Sequence, residues 1–243
     1  MRNREVIDRL HSIGDPARLD GMARHGIVTE HAYGVSIPQL RALAKEAGTD
    51  HRLAASLRDS GIHEARILAS MIADPALVTE AQMERWVADF DSWDLCDQVC
   101  ANLFRQTQFA YAKAAEWSGR RQEFIKRAGF ALIAGLAVAD ERASDERFIA
   151  FLTVVAREAD DDRNLVKKAI NWALRQIGKS NTRLNALAIQ TACELRCRPS
   201  RSARWIAADA LRELQSQRIH DRLRRACMSR HPPHQSAWKP RSG

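Results

Sequence analysis

Asp91-Ser92-Trp93-Asp94-Leu95-Cys96-Asp97-Gln98 opens a helix, and its spacing makes it the stretch to read first. Trp93 and Asp97 are four residues apart, so they leave the same helical face one turn apart. A core would accept the tryptophan and reject the acid; a solvated face would accept the acid and waste the tryptophan. A binding or catalytic site has a use for both. The structural alternative is that Asp94 stabilises the helix N-terminus while Trp93 packs inward.

Working outward, the chain reads as helix after helix. Ser36 followed by Gln39 is a capping box with Pro38 in the tolerant first turn, and Gly48 is a stop. Helices are expected near 50–60, from Ile62 up to Asp74-Pro75, and from Thr79, which pairs with Gln82 as a second capping box. The opening stretch starts a helix expected over 92–107. Further helices are expected up to Ser118-Gly119, from Glu123 to Ala139, over 145–159, over 163–178, over 182–196 behind Asn181, and over 203–215 behind Ser200 or Ser202. No strand pattern competes with them. Helix pairs recur at about 35–45 residues, the spacing of stacked helical hairpins of the HEAT or armadillo kind. The expected fold is all-α, a right-handed superhelical solenoid of helical hairpins, with a globular bundle as the alternative.

Composition agrees. The chain has 243 residues, 45% of them hydrophobic, with only 11 Gly and 7 Pro, too few turn formers for an all-β protein. The net charge of +8 is uneven. Arg218, Arg222, Arg224, Arg225, Arg230, Lys239 and Arg241 crowd the C-terminal end against the single acid Asp221, so the body is close to neutral. A nucleic-acid surface on the body must therefore come from local clustering. One domain over 1–227 and a basic, disordered tail over 228–243 are expected. The charged start and the absence of a long apolar run point away from export and membranes, and five cysteines suit a reduced, cytoplasmic protein.

Two later stretches join the first. Glu123-Phe124-Ile125-Lys126-Arg127-Ala128 places Arg127 near the start of an apolar helix. Lys167-Lys168-Ala169-Ile170-Asn171-Trp172-Ala173-Leu174-Arg175 places a second tryptophan among cations. If equivalent helices of a solenoid line one concave face, Trp93, Asp97, Arg127 and Trp172 converge there.

These motifs resemble those of the bacterial DNA alkylation repair glycosylases of the AlkD type, built from HEAT-like repeats. Trp93-Asp94-Leu95-Cys96-Asp97 is similar to that family's Trp-Asp-x-x-Asp signature. Phe124-Ile125-Lys126-Arg127-Ala128 and Lys168-Ala169-Ile170-Asn171-Trp172 resemble the segments carrying its site arginine and second site tryptophan. The resemblance runs over most of 30–215. It implies that Asp97 is the catalytic carboxylate, that Trp93 and Trp172 are aromatic contacts, and that Arg127, or its neighbour Lys126, holds the DNA backbone. It implies a monofunctional glycosylase acting on double-stranded DNA that carries N3- or N7-alkylated purines, without a deep base pocket, cofactor or metal. A monomer located with cytoplasmic DNA is expected. A non-catalytic binder of damaged or branched DNA and a protein-interaction scaffold are the competing classes.

The residue types suit that chemistry. An alkylated purine is cationic, its departure leaves an oxocarbenium-like sugar, and a nearby carboxylate stabilises that cation. Indole faces attract cations. Backbone contacts are sought among Lys126, Lys167, Lys168, Arg175 and Lys179, with Arg120, Arg121, Arg183, Arg201 and Arg204 as further candidates, although any one of these alone reads as a solvated helix face. The cysteine pairs Cys96/Cys100 and Cys193/Cys197 read as small buried hydrophobes before they read as zinc ligands. His63 has no partner in sequence. Trp86, Trp117 and Trp205 are expected in the core.

Overall fold

A computed structural model describes residues 1–230, with side chains placed as far as Ala226. It is all helical: fourteen α-helices and no strand among the described residues. After α1 (Asn3–Ile13) and α2 (Leu19–Arg24), an inner row is made by α3 (Ile37–Ala47), α5 (His63–Ile72), α7 (Trp93–Asn102), α9 (Glu123–Ala139), α11 (Asn164–Gly178) and α13 (Arg201–Leu214). Each inner helix packs on the next. The other row holds α4 (His51–Arg58), α6 (Glu80–Ala88), α8 (Ala110–Trp117), α10 (Asp145–Glu158), α12 (Thr182–Arg196) and α14 (Gln217–Arg230). One continuous apolar core lies between the rows. No described helix is long and apolar enough to cross a membrane.

The expected punctuation holds in detail. Ser36 accepts from Gln39 N while the Gln39 side chain returns to the Ser36 N–H, and Gly48 ends α3 with φ +68°. Thr79, Asn181 and Ser200 each accept from the backbone N–H three residues on. The helix opened by Trp93 is shorter than its pattern suggests. It stops at Asn102, and a 3-10 turn carries Phe104 inward, where its ring meets Phe90 at 6.3 Å, Trp86 at 6.2 Å and Trp117 at 5.7 Å. Aromatic packing there outweighs the helical continuation. Gly129 lets α9 cross the end of α8: a Cβ on it would lie 2.3 Å from Ser118 N.

Two expectations need correcting. Trp86 and Trp117 are core residues, but Trp205 is 41% exposed. Cys96 and Cys100 are buried, whereas Cys193 is half-buried and Cys197, the C-cap of α12, is exposed. The residues after 215 add α14, which buries Ile219 and Leu223 four residues apart. That helix runs through the expected start of the tail at 228, and residues 231–243 lie outside those described.

Candidate DNA-processing site

The inner helices meet through polar pairs set one repeat apart. On α7, Ser92 precedes the first turn and Trp93 begins it. Trp93 Nε1 donates to the His25 carbonyl at 2.9 Å, which ties the indole to the segment after α2. One turn on, Asp97 receives a two-pronged contact from Arg127 of α9: Nε donates to Oδ1 at 3.0 Å and Nη2 to Oδ2 at 2.7 Å. Arg127 Nη1 donates to the Leu165 carbonyl at 2.7 Å, in the first turn of α11. The same guanidinium lies 5.8 Å from the Trp93 ring centroid. One arginine thus joins three successive inner helices and touches both members of the opening motif.

Asp97 keeps access to solvent; its side chain is 19% exposed against 7% for Arg127. Burial pushes the Asp97 carboxyl above its ordinary value, the Arg127 guanidinium pulls it down without cancelling the rise, and Asp94 adds to the rise. Arg127 itself stays charged: burial acts against it, but Asp97 carries its pKa upward overall. The neighbouring Cys96 thiol is pushed far up by burial and is no nucleophile.

Trp172 lies two inner helices on from α7, and helix geometry gives the arc it occupies. At about 100° per residue, Lys168 and Trp172 share an arc of α11. That arc lies between Leu165, which meets α9, and Lys167, Asn171 and Arg175, which meet α13. Lys168 is exposed and has no ion-pair partner among the described residues; Trp172 is half-buried. Trp172 sits seven residues from the Arg127 contact, about 10 Å along the helix axis. Helix α9 is the only inner helix separating it from Trp93 and Asp97.

The other expected cations are placed differently. Lys126 projects about 100° away from Arg127 around α9 and is 8% exposed. Its Nζ meets Glu158 at 2.7 Å and Asp161 at 3.1 Å, so two carboxylates inside the fold already hold its charge. Arg175 and Lys179 both pair with Glu213 at 2.9 Å. Lys167 lies over the Trp205 ring. Arg120 is paired with Glu116, and Arg183 reaches Glu146 at 3.0 Å. Of the five principal cations, Lys167 and Lys168 have no ion-pair partner among the described residues, and Lys167 has a ring contact where Lys168 has none.

Sequence reasoning missed two anchors. His63 is buried, and its Nε2 donates to Asp94 Oδ2 at 2.9 Å. Burial works against ionisation of Asp94, yet the His63 bond holds its pKa below the ordinary value, so Asp94 is the structural acid of the pair in the motif. Glu64, 1% exposed, accepts from the backbone N–H groups of Tyr33, Gly34 and Val35 at 3.0, 2.7 and 3.2 Å. Tyr33 packs on the core with its ring edge-on to His11, 5.3 Å away. The available signal was the interval: His63 to Asp94 and Asp97 to Arg127 are both about one repeat apart.

The sequence over residues 6–214 matches the family model of the DNA alkylation repair enzymes. The chain belongs to the DNA alkylation repair enzyme family. Its fold is that of a solved structure described as "a new family of proteins related to the HEAT-like repeat DNA glycosylases with affinity for branched DNA structures". The two are 22% identical, with a TM-score of 0.77 over 92% of this chain and 96% of that one. Comparison with curated proteins gives no match. The all-α, HEAT-like architecture expected from the sequence is the one found, and the inner row carries the motif residues on three successive helices.

Proposed function

We propose that this protein is a monofunctional DNA glycosylase that hydrolyses the N-glycosidic bond of cationic N3- and N7-alkylated purines in double-stranded DNA, acting as a cytoplasmic monomer. The observation that carries the reading is the Arg127-clamped, partly exposed carboxylate of Asp97 beneath Trp93. The alkylated base is already a good leaving group. What the reaction needs is negative charge beside the sugar as the base departs and a water directed at C1′. Asp97 supplies the charge and orients the water. Arg127 acts as a positioning residue: all three of its nitrogens are bonded within the protein, so it holds Asp97 and favours its ionised form. Trp93 and Trp172 offer indole faces to the cationic base or the electron-poor sugar, each worth ~1–2 kcal/mol when dry. Lys168 contacts the DNA backbone on the same arc as Trp172.

A second reading has an observation of its own. Full engagement of Asp97 by Arg127 also suits a groove that binds DNA without cutting the glycosidic bond, and affinity for branched DNA is attributed to the structural neighbour. An excision assay separates the two. Release of 3-methyladenine and 7-methylguanine from methylated duplex by the wild type, with loss of ~100-fold or more in Asp97→Asn, supports catalysis. Tight DNA binding with no release by either protein supports the binder.

A further inference from the structure

The cleft between the first turns of α11 and α13 has no part in that reading, and its composition breaks a pattern. Helices α11 and α13 are joined by rungs 38 residues apart: Asn171 Nδ2 donates to Asp209 Oδ2 at 2.7 Å and Arg175 Nη1 to Glu213 Oε2 at 2.9 Å. One turn earlier the same interval sets Lys167 against Trp205, with Nζ 5.2 Å from the ring centroid. The two other rungs end on carboxylates, whereas this one ends on an indole. The Lys167 charge therefore meets a ring face and has no ion-pair partner among the described residues.

Trp205 is also the one aromatic among the large hydrophobic side chains that the described residues expose. It borders an open cleft of about 550 Å³ lined further by Lys167, Ser200, Arg201 and the carboxylates of Asp160 and Asp162. Asp160 is paired with Arg198 at 3.6 Å; Asp162 is exposed, and its neighbour Arg163 is committed to Asp161. Arg201 is exposed, and Arg204 beside Trp205 donates to the backbone carbonyls of Arg198 and Pro199 and has no ion-pair partner among the described residues. Lys167, Arg201 and Arg204 thus stand near the ring against one acid, Asp162, that has no ion-pair partner among the described residues. The cleft is on the same row as the site. Arg127 docks on the first turn of α11, Lys167 lies on that turn, and Trp205 is one inner helix beyond.

We propose that this cleft is a subsite for an unpaired nucleotide, its base stacked on the open face of Trp205 and its phosphate held by Lys167 and Arg201. The proposal rests on the reading that the inner face binds DNA. A base inside a duplex has both faces covered by its neighbours; only an extruded or overhanging base can offer one to an indole. Lysine on one face and a base on the other uses both sides of the ring.

The test measures affinity by fluorescence anisotropy for a blunt duplex and for the same duplex with a single-stranded overhang. Excision of 7-methylguanine is assayed in parallel. The wild type is expected to prefer the overhang. Trp205→Ala should cut that preference roughly 10-fold, the scale of losing one base–aromatic stack, while Trp205→Phe retains most of it. Lys167→Gln should weaken binding and flatten its salt dependence by about one phosphate contact. If Trp205→Ala keeps the wild-type preference, or the wild type has none, the subsite is wrong; the exposed indole then serves a protein partner or nothing. If the preference behaves as expected but no base is released, the glycosylase reading fails and the subsite stands.

Discussion

Lys126 and Arg127 are neighbours on α9, both buried and both ion-paired, and they hold their carboxylates in opposite states. Lys126 faces Glu158 and Asp161, and Asp161 is held further by Arg163 at 2.6 Å. Two cations and several hydrogen bonds overcome the burial of Asp161 and bring its pKa down to about 2. Arg127 faces Asp97 with two good hydrogen bonds, yet burial wins and the Asp97 pKa rises. The first cluster is overcompensated and inert. The second is undercompensated and partly exposed, which leaves its acid reactive toward a developing positive charge. A buried ion pair is therefore not structural or functional by its geometry alone; the balance between desolvation and partners decides.

The contrast breaks most readily at Asp97. Asp97→Asn should lower the excision rate per folded molecule by ~100-fold or more, along with a loss of stability from leaving the buried Arg127 charge unpaired; a variant that excises normally would make Asp97 another structural acid. Asp161→Asn should lower stability alone. Removing it leaves Arg163 unpaired and Lys126 with Glu158 alone, for a loss of about 1–3 kcal/mol, or roughly 2–4 °C in midpoint per kcal/mol for a chain of this size. Excision per folded molecule should be unchanged.

The pH dependence sharpens the same contrast, with opposite signs. Asp161 titrates lower in the fold than in the unfolded chain, so its stabilisation is complete above pH 3.8 and disappears as pH falls through about 2. An acid-melting series on wild type and Asp161→Asn should converge in that window. Asp97 titrates above 3.8 in the fold, so excision should fall on its acid side before an ordinary carboxylate would protonate. A rate profile flat into the ordinary carboxylate range would remove Asp97 from the reaction. The smallest effect expected is that of Trp172→Ala, about 5–30-fold in excision, the worth of one indole–cation contact.

Helix caps and breaks were legible in the sequence because they are local. Ser36 with Gln39, Asn181 and Ser200 act within one turn of themselves, and the apolar spacing of 123–139 needs no partner to be read. The Trp93–Asp97 pairing was legible for the same reason, since four residues on a helix fix a shared face. The motif resemblance also led to Arg127. The length of α7 was not legible, because Phe104 turns inward to fill a gap among Phe90, Trp86 and Trp117 that no local pattern records.

The residue pattern alone specified an all-helical chain of stacked hairpins, and a carboxylate and an indole on one helical face; it overstated the hairpin period, since inner helices from α3 to α9 start 26–30 residues apart and only the later ones fall in the expected 35–45 range. The tertiary structure decided how the charges are spent. Lys126 and Arg127 differ by a single position, but about 100° of rotation sends one to Glu158 and Asp161 and the other to Asp97 and Leu165. His63 acquired Asp94, and Trp205 acquired Lys167 and solvent, in the same way. Helix formation depends on neighbours within a turn or two, whereas desolvation and ion pairing depend on what another helix, about one repeat away, brings against the group.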